Sequence, residues 1–163
     1  NNSGVGAQFM DSSSITFGAV AQGNTVTDNT SSGIAASVST TSSVNGIQIV
    51  GNSIANNTGD GIAFSSSTTI NDSIVQPTFT SCTNVVLRGT SASNGTVHVY
   101  ASDGSGEGDV YLGAVTATNG IWGTSDATWV PADGVTGFSD YAAVVATVTN
   151  SITLPLFFQL NAQ

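Results

Sequence analysis

The sequence predicts an all-β protein in two parts, a set of stacked short strands followed by a β-sandwich. Three observations lead there. Residues 23–36 (GNTVTDNTSSGIAA) recur as residues 51–64 (GNSIANNTGDGIAF), with Gly23, Asn24, Asn29, Thr30, Gly33, Ile34 and Ala35 returning as Gly51, Asn52, Asn57, Thr58, Gly61, Ile62 and Ala63. A repeat of this length marks units that stack on one another. The composition is that of strands and turns: 23 Ser, 22 Thr, 14 Asn and 19 Gly in 163 residues, with few helix formers. From Thr83 onward the repeat gives way to longer runs in which apolar and polar residues alternate.

The same composition excludes several functions. Only 7% of residues are charged while 39% are apolar, so the chain has a core to bury and lacks the signature of disorder. There is no Lys, Arg88 is the only Arg, and the formal charge is −9. A nucleic acid or an anionic membrane surface finds no basic patch here, and neither is expected as a partner. No apolar run is long enough to span a membrane as a helix. Without Lys, no Lys–Asn isopeptide cross-link can form. Cys82 stands alone, which rules out an internal disulfide and reads as a small core residue. A chain opening on Asn1-Asn2-Ser3, with no signal peptide and no initiator Met, reads as part of something longer. So little Lys and Arg with so much Ser, Thr and Asn suits an extracellular or cell-surface location.

In the first half the local pattern is N-x-[VI]-x-x-N-x-x-x-G-I. Gly46-Ile47-Gln48-Ile49-Val50 and Gly61-Ile62-Ala63-Phe64 read as strands of about four residues. Asn-Thr-Gly-Asp-Gly and the Ser-rich stretches read as corners. Strands so short and so often turned can wind into coils, each strand pairing with its counterpart in the next coil about 4.8 Å away. Val26 then sits on Ile54 and Ile34 on Ile62, as apolar columns. Asn24 sits on Asn52 and Asn29 on Asn57, where stacked amides can form a ladder. Gly33 and Gly61 allow either a positive φ or a close backbone approach. Asn1 to Ala7 resembles Asn29 to Ala35 with one residue missing, and the pattern fades after Phe64. About three coils are expected. The first has no visible cap, so upstream sequence or a neighbouring subunit is expected to cover its edge.

In the second half the strand candidates are Asn84–Gly89, Thr96–Tyr100, Val110–Val115, Tyr141–Val148 and Leu154–Leu160, separated by Ser93-Asn94-Gly95, Asp103-Gly104-Ser105-Gly106 and Thr118-Asn119-Gly120. Six or seven strands in about 80 residues suit a small sandwich. Trp122, Trp129, Phe138 and Tyr141 are the candidate large core residues. Alternation with Val97 and Val99 puts His98 on the polar face of its strand.

These motifs carry two resemblances. Residues 1–82 resemble the right-handed parallel β-helix repeat family. The stretch from Gly89 to Gly113, with Gly120-Ile121-Trp122 after it, resembles the immunoglobulin-like modules that follow such repeats in bacterial surface proteins, and that likeness covers residues 84–163. The segment Val148 to Phe157 departs from the way those modules close. The fold expected is therefore a short right-handed parallel β-helix over residues 1–82, followed by an immunoglobulin-like β-sandwich over residues 83–163. The second resemblance implies a spacer or adhesive role and brings no catalytic residues with it.

Many β-helix proteins degrade polysaccharides, and that chemistry needs particular catalytic groups. Lyases of acidic polysaccharides need a base and cations, yet only Arg88 and His98 exist, both in the second half. Glycosidases need two carboxylates about 5–9.5 Å apart. The stack offers Asp11, Asp28, Asp60 and Asp72, of which Asp28 aligns with Asn56 and Asp60 with Ser32. Asp60 reads as a turn residue. No catalytic residue and no cofactor are assigned. The metal candidate is Asp103, Ser105, Glu107 and Asp109, oxygen side chains alternating with Gly, which reads either as a calcium loop or as an acidic hairpin. Near the C-terminus Leu154, Leu156, Phe158 and Leu160 share one face. They form either the last strand of their own sandwich or a strand donated to a neighbour.

The functional expectation is a non-enzymatic extracellular structural protein, a surface or filament-forming subunit pairing strands with other copies of itself or within a longer parent chain. The alternative is a carbohydrate-binding or adhesin module, with glycans as partners and Tyr or Trp exposed on one face. A polysaccharide-degrading fragment comes third.

Overall fold

The computed structural model describes residues 2–39, 45–64, 70–71, 77–82, 87–102, 107–123, 143–149 and 158–161. All regular structure among them is β, with no helix able to cross a membrane.

Among the described residues the first half holds seven short strands: β1 (Ala7–Met10), β2 (Thr16–Phe17), β3 (Thr25–Thr27), β4 (Ile34–Ser37), β5 (Gln48–Ile49), β6 (Ser53–Ala55) and β7 (Ile62–Phe64). Strands β1 to β4 each pair in parallel with the strand three places later, giving the sheets β1-β4-β7, β2-β5 and β3-β6. The chain thus makes repeated circuits through three sheets. Ile34 pairs with Ile62 and Val26 with Ile54, as the 28-residue echo requires. Ala7 pairs with Ile34 and Asn2 with Asn29, a spacing of 27 that stands one residue off the expected match of Ala7 with Ala35. Thr16 pairs with Gln48 at a spacing of 32, so the second circuit carries a longer corner before β5.

The inward positions build a narrow aliphatic core. Ile34, Ile47, Ile49 and Ile54 are almost wholly buried. In the first circuit Val26, the partner of Ile54, is buried, while Ala7, Phe9, Ile15 and Phe17 are only partly buried, with Phe9 and Phe17 edge to face at 5.6 Å. Asp28 and Asn56 occupy the same corner in successive circuits with φ of 58° and 57°. Asp and Asn tolerate the left-handed region better than other side chains, which accounts for that column of the repeat. Gly33 serves close approach rather than positive φ: a Cβ there would lie 2.8 Å from Ile54 Cγ2 and 2.9 Å from Asn57 Nδ2.

Among the described residues the strands of the second half pair antiparallel. It comprises β8 (Thr78–Cys82), β9 (Leu87–Thr90), β10 (Thr96–Ser102), β11 (Val110–Thr116), β12 (Ile121–Gly123), β13 (Ala143–Thr149) and β14 (Phe158–Asn161). These form two sheets, β11-β10-β13-β14 and β12-β9-β8. They share a core of Leu87, Val97, Val99, Ala101, Leu112, Ala117 and Trp122. Trp122 meets Phe79 edge to face at 5.2 Å and donates its indole N–H to the Thr90 carbonyl. Asn119 and Gly120, with φ of 52° and 79°, make the two-residue turn that closes Thr118 onto Ile121. Strand β8 pairs with β9 from Thr78, so antiparallel pairing begins just after Pro77, ahead of Thr83. Trp129, Phe138 and Tyr141 lie outside the described residues.

Candidate functional site

The two halves meet along β10 and the Glu107–Asp109 segment, where His98, Ser102 and Glu107 are buried polar residues. Alternation sends Val97, Val99 and Ala101 into the core of the second half. The opposite face of β10, expected to be solvated, is covered by the first half. His98 is only 7% exposed, a correction to its expected place on an open polar face. Tyr100 is buried as well; its ring meets Tyr111 edge to face at 5.2 Å, and its hydroxyl accepts the Gly51 N–H at 3.0 Å. Burial alone pushes His98 down to about 4, so the imidazole is neutral at neutral pH. Its Nδ1 lies 3.1 Å from the Tyr111 hydroxyl, whose own pKa burial raises.

A second set of contacts runs along the axis of the stack. Asn24 donates its N–H and its Nδ2–H to Asn52 Oδ1, at 2.9 and 3.0 Å. Asn29 does the same to Asn57 Oδ1, at 3.2 and 2.7 Å. Asn57 then donates its Nδ2–H to Glu107 Oε1 at 2.8 Å and its N–H to Glu107 Oε2 at 2.9 Å. Glu107 therefore stands where a further circuit would place an Asn. A carboxylate accepts and cannot donate, so the ladder ends there. Beside it Gly108 accepts the Ile54 N–H at 2.9 Å, and Asp109 accepts the Ser53 hydroxyl at 3.0 Å. The segment Glu107–Asp109 thus pairs with β6 much as a third circuit would. Over β5 the cap is a side chain: Asn71 accepts the Ile47 N–H and donates to the Ile47 carbonyl. Unsatisfied buried amides are costly, which explains why each is matched.

The predicted site residues fall as follows. Of the calcium candidate, Glu107 and Asp109 are held by Asn57 and Ser53, and Asp103 and Ser105 lie outside the described residues. Among the described residues no three His, Cys, Asp or Glu side chains gather to hold a metal. Asp11 binds the N–H and the hydroxyl of Ser39, and these bonds hold its carboxyl below the usual range. Asp28 is a corner residue, and Asp72 lies outside the described residues. Of the C-terminal quartet, Phe158 and Leu160 lie in β14, paired with Ala146 and Val144 of β13 in the same chain. Strand β14 ends the order of its sheet. Leu154 and Leu156 lie outside the described residues. Trp122 and Tyr100 present no open face to a sugar, being buried.

The sequence carried no signal for the junction itself. Glu107 is the only Glu, and nothing local pairs it with Asn57, fifty residues earlier. Alongside these contacts a groove of about 310 Å³ opens between the second parallel sheet and β10. Comparison of the chain with protein-family models, with curated proteins and with solved structures finds no match.

Proposed function

We propose that this chain is a non-enzymatic structural module of an extracellular surface or filament, built as a short parallel β-helix docked to an immunoglobulin-like sandwich. The observation that carries the reading is the axial ladder Asn29–Asn57–Glu107, which continues from the stack into the second half. Polar side chains that an enzyme would turn toward a substrate are used here to join circuit to circuit and half to half. Glu107, the only Glu, acts as a structural acceptor. The acids Asp11 and Asp28 serve a corner hydrogen bond and a left-handed turn. The near absence of Lys and Arg supports a surface location.

The ladder also assigns the two ends of the stack different roles. Glu107–Asp109 covers the β6 side, so coil-on-coil growth cannot proceed there while the halves stay docked. Association with other copies uses the first-circuit edge or the edge of β14, by strand pairing. Sedimentation velocity over a wide concentration range, with electron microscopy of the concentrated protein, tests this. Concentration-dependent oligomers or filaments are expected, and they should disappear when residues 158–161 are deleted or when Pro replaces residues of β1. A monomer at every concentration overturns the assembly reading.

A further inference from the structure

We infer that the groove between β2, β5 and β10 is a binding site for a single neutral sugar ring. The proposal goes beyond the scaffold reading and stands without it. At about 310 Å³ the groove lies at the small end of ligand sites, which suits one ring rather than a chain.

Its lining selects the chemistry. Thr16, Gln48, Thr96 and His98 supply the polar groups, and Val20 and Val50 an aliphatic surface. None of these carries a charge at neutral pH, since His98 is neutral there. An anion is repelled by the formal charge of −9, and a cation finds no carboxylate in the lining. A wholly apolar ligand would cover the Thr16 hydroxyl and the Gln48 amide without bonding them. A neutral ring with hydroxyls at its rim and a C–H face satisfies both surfaces.

Two features show unused binding capacity. Thr16 and Gln48 are register partners on neighbouring parallel strands, so their side chains rise side by side about 4.8 Å apart. Neither side chain has a hydrogen-bond partner among the described residues, although a primary amide can donate two bonds and accept two. Val20 is 57% exposed, an aliphatic side chain that stands largely open at the groove. The wall between them is held by Gly18, at φ 81°, where any Cβ would collide with Asn52 Oδ1 and the Val50 carbonyl. A ring lying its C–H face on Val20 and Val50 brings two hydroxyls to Thr16 and Gln48, with Thr96 opposite.

The test is a two-dimensional amide NMR titration of the full chain with the methyl glycosides of glucose, galactose, mannose and N-acetylglucosamine. Glucuronate and glucosamine serve as charged comparators. At least one neutral glycoside should shift the amides of Thr16, Val20, Gln48, Val50 and Thr96 with a dissociation constant of about a millimolar, as expected for so few ligand atoms. Gln48→Ala and Thr16→Val should each weaken binding about fivefold, the loss of one hydrogen bond. Both should leave the melting temperature unchanged, because neither side chain bonds to described residues. The proposal is overturned if no glycoside shifts these amides, if both variants bind as the parent does, or if a charged sugar binds as tightly as the neutral ones.

Discussion

In the stack, side-chain amides run along the axis and the apolar core is a thin file of Ile and Val, each strand contributing one or two inward residues. In the antiparallel half the strands are up to seven residues long and one Trp fills the space between two sheets. The difference follows from strand length. A three-residue strand such as β6 can bury little and has few backbone bonds, so Asn24, Asn29, Asn52 and Asn57 add side-chain bonds between circuits. A seven-residue strand such as β10 holds its register through its own backbone and leaves its outer face for docking. One half spends polar groups internally, and the other uses them at its border.

Trp122→Ala strikes the antiparallel half at its centre and should cost about 4 kcal/mol in a denaturant titration, through lost burial and the cavity left behind. If the halves fold as one unit, the stack should melt in the same transition. Two separate transitions would show that the junction is weaker than its hydrogen bonds suggest.

Acid should attack the junction next. His98 has a folded-state pKa of about 4 against about 6.5 unfolded. Above 6.5 both states are neutral there and nothing is lost. As pH falls from 6.5 to 4 only the unfolded state takes up the proton, so stability drops by about 3 kcal/mol across that window. Urea titrations at pH 7 and 4.5 should show the fall, and His98→Gln should remove most of it. An equal fall in the variant would place the acid sensitivity elsewhere.

The smallest of the three effects, a difference of about 2 kcal/mol, separates a rung inside the stack from the rung that crosses the border. Asn57→Ala removes the side-chain amide that donates to Glu107 and the acceptor of Asn29, and should cost about 3 kcal/mol because a buried carboxylate loses a partner. Asn24→Ala removes a donor to Asn52 alone and should cost about 1 kcal/mol. Thermal melts of the pair decide it. Equal losses would mean that the border rung carries no special load.

Much of the stack could be read in advance because its contacts are periodic. Once residues 28 apart are known to stack, Val26 on Ile54, Ile34 on Ile62 and both Asn pairs follow without coordinates, and the structure has them all. The turn at Asn119-Gly120 and the burial of Trp122 were legible from local chemistry. His98 was misplaced because alternation says which side of a strand a residue occupies, and only the neighbouring half says whether that side is wet. The groove was hidden for the same reason, since Thr16, Gln48 and Thr96 come from three distant segments.

By itself the sequence determined the all-β character, the register of β3 on β6 and of β4 on β7, and the amide ladder, because these depend on spacing along one chain. Only the tertiary structure decided where the ladder ends, how β10 is shared between its own core and the first half, and what becomes of Glu107. Those outcomes rest on contacts between residues about fifty positions apart with no repeat to connect them. A carboxylate can end a ladder of amides, but nothing in its local sequence says that it will.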